Sequence, residues 1–192
     1  MYHVSNDKRS QKSAQLIWEG MEKALQEKPL CKLRVTDIYE KSFVSRATFY
    51  RLFDSVEDVL SYKCDLIYLQ LTEVVQNVAF DSKQQLFLCF IEKWLEQEVL
   101  IKTLVENNLV SVIYETHMKN RDLMKEFFLK DATISDDEAD YLSAILATLI
   151  PASVNVWCLH GKTDTPSEIY HAVSHSLKII GRELPMNESN RK

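Results

Sequence analysis

Four side chains within one short stretch, Arg46, Thr48, Tyr50 and Arg51, have the chemistry of nucleic-acid recognition. A guanidinium presents paired donors to a guanine edge or a phosphate, and a hydroxyl or phenol adds a contact to either. To act together they need a short helix that turns its other face inward. The surrounding residues supply one. Ser45 is a favoured N-cap, so a helix is expected over 46–53, and a first helix over 35–41 precedes it, leaving Ser42, Phe43 and Val44 for the turn. This is a helix-turn-helix in outline. Ser55, with Asp58 three residues on, starts a third helix as a capping box. Ile38, Val44, Phe49, Phe53 and Leu60 are spaced to form a shared core beneath the pair. Arg34, Thr36 and Lys41 add donors around the first helix. The bland alternative, a capped helix with two arginines on a solvated surface, is weighed against this by a recurring pattern.

Val35, Ile38, Val44, Ser45, Thr48, Phe49, Tyr50, Phe53, Ser55, Glu57 and Leu60 fall in register on one motif. With them, VTDIYEKSFVSRATFYRLF resembles the N-terminal motif of the TetR family of bacterial transcription regulators. The resemblance implies DNA contacts from Arg34, Thr36, Lys41, Ser45, Arg46, Thr48, Tyr50 and Arg51. Four positions depart from the family pattern. Arg34 replaces a capping Thr, and Phe43 stands where the turn has Gly, so that turn must avoid positive φ or bear a cost there. Leu52 and Val56 replace a His and a Lys that commonly touch phosphate, with Arg51, Arg34 or Lys41 as the available substitutes. A second segment, NVWCLHGKTDTPSEIYHAV, resembles the W-x-x-x-G-x-x-x-[ST]-P-x-E-I pattern at the C-terminus of one TetR branch, which implies a homodimer through the last two helices.

The 192-residue chain is 46% hydrophobic and 27% charged, an ordinary globular composition. Only three glycines occur, Gly20, Gly161 and Gly181, so no glycine-rich phosphate loop can be built. Neither a G-x-S-x-G elbow nor a recognisable Cys-His spacing is present, and no enzyme or cofactor is expected. The net charge of −5 is unevenly placed: residues 1–60 hold ten Lys/Arg against nine Asp/Glu, leaving the acid to the rest of the chain. Cys31, Cys64, Cys89 and Cys158 lie far apart without a C-x-x-C pair, consistent with free thiols in a reducing cytoplasm.

Long helical periodicities without β-alternation predict an all-α fold: an N-terminal helix-turn-helix domain of three helices over 1–55, a helical effector-binding and dimerisation bundle over 56–185, and a loose tail over 186–192. A first helix over 10–27 buries Ala14, Ile17, Trp18, Met21, Ala24 and Leu25. Ahead of it, His3 to Lys12 carries Lys8, Arg9 and Lys12, an arm able to touch a minor groove but expected to be a disordered tail. From Val56 to about Phe80 a connector repeats Leu60, Cys64, Ile67, Leu71, Val74 and Val78 as one stripe. Helices follow over 84–98, about 100–118 and 120–130. Tyr141 to Leu159 contains no charged residue, but Ser143, Thr148, Pro151, Ser153 and Asn155 make it a poor membrane span; burial in a core or against a second subunit is the better account. Gly161 ends that helix and Pro166 opens the last, with Ile169, Val173, Ser176, Leu177 and Ile180 expected inward.

Trp94, Tyr114, His117, Trp157 and His160 are able to line an apolar ligand cavity, or equally to form an aromatic core. His171 and His175, with Glu168, share a helix face suited to a metal, but without a His-Glu-x-x-His pattern they are expected to be interface or solvent residues. Two functions remain: a ligand-responsive repressor that binds an operator as a dimer, and an interaction protein of the same fold with weakened DNA contacts.

Overall fold

A computed structural model describes residues 1–129 and 133–183 of the chain. The order is α1 (Lys8–Leu25), a 3-10 turn (Leu30–Lys32), α2 (Val35–Ser42), α3 (Arg46–Leu52), α4 (Val56–Asn77), α5 (Lys83–Leu95), α6 (Glu98–Glu106), α7 (Ser111–Lys119), α8 (Arg121–Met124) running into a π turn (Lys125–Leu129), α9 (Asp136–Leu159) and α10 (Pro166–Glu183). No strand occurs among the described residues; there is one isolated bridge between Tyr2 and Phe53. The expected tail over 186–192 lies outside the described residues.

Caps account for most of the boundaries. Asp7 accepts from the amides of Arg9 and Ser10 at 3.0 and 2.9 Å and starts α1 earlier than the apolar pattern indicated. Its carboxyl is held below the usual range first by the Ser5 hydroxyl, then by these amides. Ser55 and Asp58 form a reciprocal box that starts α4, and Ser135 with Glu138 does the same for α9. α2 has only half of such a box. Asp37 accepts from the Arg34 amide at 2.8 Å, while Arg34, with no acceptor on its side chain, returns nothing. Lys28, in the link after α1, completes the site at 2.8 Å from Asp37, and this ion pair is the main reason the Asp37 carboxyl lies below its ordinary range.

Ala14, Ile17, Trp18 and Met21 of α1 pack with Ile38, Phe49 and Phe53 at no more than 2% exposure, and the same apolar cluster continues through α4 into α5, α6, α7 and α9. The core therefore runs unbroken along α4, which joins the N-terminal helices to the rest. Its buried line is Leu60, Cys64, Ile67, Leu71 and Val75; the expected Val74 and Val78 are 40% and 50% exposed. From Leu71, steps of three and four are near neighbours on a helix, and only the packing partners choose between them.

The N-terminal residues are not a disordered tail. The His3 amide donates to the Leu52 carbonyl at 2.8 Å, beside the Tyr2–Phe53 bridge, so the strap is fixed to the end of α3. Tyr2 also packs edge-on against Tyr62 and donates to Asp65 at 2.5 Å. Lys8, Arg9 and Lys12 belong to α1 rather than to an arm. A second correction concerns the expected helix over 100–118, which is two helices. Asn108 takes φ 57° between them, a left-handed conformation that Asn tolerates better than most residues, and the Asn107-Asn108 pair was the available signal.

α9 is long and apolar enough to cross a membrane by length and composition, yet Ala147, Ile150, Val154 and Trp157 are core residues. Only one face is covered. Tyr141, Ile145, Val156 and Leu159 are 45–77% exposed along the opposite side. α10 also departs from expectation: Ile169 is buried and Val173 half-buried, but Ser176, Leu177 and Ile180 are exposed, because the second half of the helix extends beyond the core that covers the first.

Candidate nucleic-acid interface and cavity

The second helix of the pair is anchored from below. Phe49, Leu52 and Phe53 are at most 2% exposed, so the orientation of α3 is set by the core. Ser45 caps it, accepting from the Thr48 amide at 3.2 Å and lying 3.0 Å from the Thr48 hydroxyl. Leu52, where the resembled motif has His, serves this packing, and Val56 is buried as well. Arg46, Tyr50 and Arg51 are exposed on the other side. The Arg46 guanidinium lies over the Tyr50 ring, 5.5 Å from its centre, which limits the freedom of both side chains before any partner arrives.

The predicted DNA-contacting residues fall into separate groups. Arg34, Thr36, Arg46 and Tyr50 line one open cleft of about 520 Å3 between the start of α2 and α3, with Glu57 as the acid on its wall. Arg51 lies on the opposite flank with Arg9, His3 and Asp7 of the N-terminal segment. Lys41 is drawn to Glu27, at 2.5 Å. The turn between the helices uses the strained option: Phe43 has φ 57° and is 94% exposed.

A polar node links the strap to the C-terminal half. Asp65 on α4 takes the Tyr2 hydroxyl, Lys119 at 2.6 Å and the Thr116 hydroxyl at 3.1 Å. Asp65 is also the first cause that raises the Lys119 ammonium above its usual range. Thr116 and Lys119 are on α7, beside His117. That histidine is buried, packs against Trp94 with ring centres 5.9 Å apart, and among the described residues has no hydrogen-bond partner at Nε2. Desolvation pushes its pKa down to about 3, so the imidazole is neutral near pH 7. Trp94 Nε1 is likewise buried without a partner among the described residues.

His117 opens on a small inner cavity of about 20 Å3, whose walls include Phe87, Phe128, Leu146 and Leu149. These four residues also line an outer cavity of about 530 Å3 that reaches solvent between α5, α9 and α10. Its size is that of a small-molecule site. Of the residues expected to line a cavity, Trp94 and His117 are brought together and His117 reaches it; Tyr114, Trp157 and His160 are not among its lining residues. The last two serve the α9–α10 turn. Trp157 Nε1 donates to the Asp164 carbonyl at 3.2 Å, and His160 Nδ1 lies 2.6 Å from the Asp164 carboxylate. Gly161 takes φ 72° in the same turn, where an L side chain is disfavoured. Thr165 and Glu168 cap α10 reciprocally, so Glu168 is engaged in the cap, away from His171 and His175. The tryptophan-to-isoleucine segment therefore builds a helical hairpin. Sequence reading missed Lys83, Tyr170 and Lys178 of the outer cavity, since four separate elements contribute its wall and no local spacing marks them.

No protein-family profile matches the chain, and no curated protein matches it. Solved structures do. Lin0861 from Listeria innocua aligns with a TM-score of 0.77 at 14% identity, covering 93% of this chain and 96% of its own. A TetR transcriptional regulator from Streptococcus agalactiae 2603V aligns with a TM-score of 0.57 at 18% identity, covering 88% and 94%. The chain has a TetR-like, all-α fold. At these identities the likeness concerns the fold alone.

Proposed function

We propose that this chain is a cytoplasmic, ligand-responsive DNA-binding regulator, acting as a repressor, whose dimer sets two α3 helices into successive major grooves of a near-palindromic operator. The observation that carries this reading is the division of α3: an inner face locked by Phe49, Leu52 and Phe53, and an outer face presenting Arg46, Tyr50 and Arg51. Residues 1–55 would read the DNA, and the helices from α4 onward would hold the effector and the partner protomer through α9 and α10. No catalytic role is assigned. Selection from random duplexes at low salt tests it: the wild type should recover a palindromic site, and Arg46→Ala should weaken that site by about 1–3 kcal/mol if Arg46 reads a base.

The second reading, an interaction protein with weak DNA binding, is favoured by Leu52 and Val56 in place of phosphate contacts and by the pairing of Lys41 with Glu27. Recovery of no preferred duplex would select it.

A further inference from the structure

We propose that the cavity takes an amphipathic monoanion of the long-chain carboxylate class, its head group at Lys83 and Lys178 and its apolar chain directed inward toward His117. This rests on the reading of the cavity as the effector site. Its polarity is graded. Lys83 and Lys178 line only the outer part, near solvent, and neither makes an ion pair among the described residues. No acidic residue is among the described residues that line either part, so a cationic head would meet two like charges there. Inward, the shared wall is Phe87, Phe128, Leu146 and Leu149, followed by Phe90 and Ile150. An anion carried that far would be buried without a compensating charge, because the imidazole at the end is neutral. Charge is thus confined to the outer end and hydrocarbon to the inner. The inner cavity has room for one small end group, with the buried His117 among its lining residues.

Calorimetry on the full chain with dodecanoate, dodecan-1-ol and dodecyltrimethylammonium, each below its micellar threshold, tests the assignment. Dodecanoate should bind once per protomer, at least ten-fold more tightly than the alcohol and the cation. In Lys83→Glu/Lys178→Glu, altered only at exposed positions, that preference should vanish while the alcohol is retained. Leu146→Trp, checked for folding by circular dichroism, should lose all three. Equal affinity for the three probes, a preference unchanged by the charge reversal, or binding that replaces protomer–protomer association in sedimentation would overturn it. An operator site recovered without ligand and released by the cation, with dodecanoate inert, would overturn this assignment and leave the regulator reading standing. Failure to recover any duplex, with dodecanoate bound as described, would do the reverse.

Discussion

Gly20 of α1 lies against Ser42 of α2 so closely that a Cβ on Gly20 would stand 2.6 Å from Ser42 Cβ, 2.7 Å from the Ile38 carbonyl oxygen and 2.8 Å from the Ser42 nitrogen. Two of these neighbours are backbone atoms of α2, which cannot swing aside as a side-chain end can. The contact sets how near the first helix of the pair approaches its brace, and through Phe49 and Ile38 it positions α3.

Gly20→Ala should therefore destabilise the protein although it improves helix propensity. The propensity gain is about 1 kcal/mol, and forcing a methyl into a packed contact costs about 1–3 kcal/mol, so a net loss of up to about 2 kcal/mol is expected. A lower urea midpoint at unchanged slope is the readout. A higher midpoint would show that α1 and α2 separate freely.

Phe43→Gly should act in the opposite direction. At φ 57° an L residue carries a cost of about 1–2 kcal/mol, of which glycine returns about 0.5–1 kcal/mol through its freer unfolded chain. With the side chain 94% exposed, little packing is lost. Stability should rise by up to about 1 kcal/mol in the same assay; a fall would mean that Phe43 contributes a contact in the folded protein.

His117 should leave a signature in the acid limb. Its folded pKa is depressed to about 3, against about 6.5 in an unfolded chain, so between these values the unfolded state binds the extra proton. Stability is then present above pH 6.5 and is lost as pH falls through that window, by at most about 1.4 kcal/mol per unit. His117→Leu should flatten the dependence of unfolding free energy on pH between 6.5 and 5, where carboxylates contribute least. An identical slope in the variant would place the imidazole in contact with water.

The proposed dimer would cover the exposed face of α9, where Tyr141, Ile145, Val156 and Leu159 form an apolar stripe. Val156→Glu should give a monomer with unchanged helical content, and weaker operator binding because each half-site alone supplies half the contacts. Sedimentation of the wild type as a folded monomer at micromolar concentration would rule this out.

Local chemistry alone places the helix starts and the inward faces. Ser45 and Ser55 start their helices because a cap satisfies backbone amides within three residues. The apolar face of α1 and the inward set Ile38, Phe49 and Phe53 follow from helical period alone. Tertiary structure decided whatever depends on residues far apart in the chain. Gly20 reads as an ordinary helix residue until α2 crosses it, and His3 reads as part of a loose arm until its amide meets the Leu52 carbonyl. Leu71 left open whether Val74 or Val75 would turn inward, since helical angle permits both and only α4's neighbours select one. The cavity is the extreme case: its wall comes from α5, the π turn, α9 and α10, and no spacing within one helix records the empty volume that four helices leave between them.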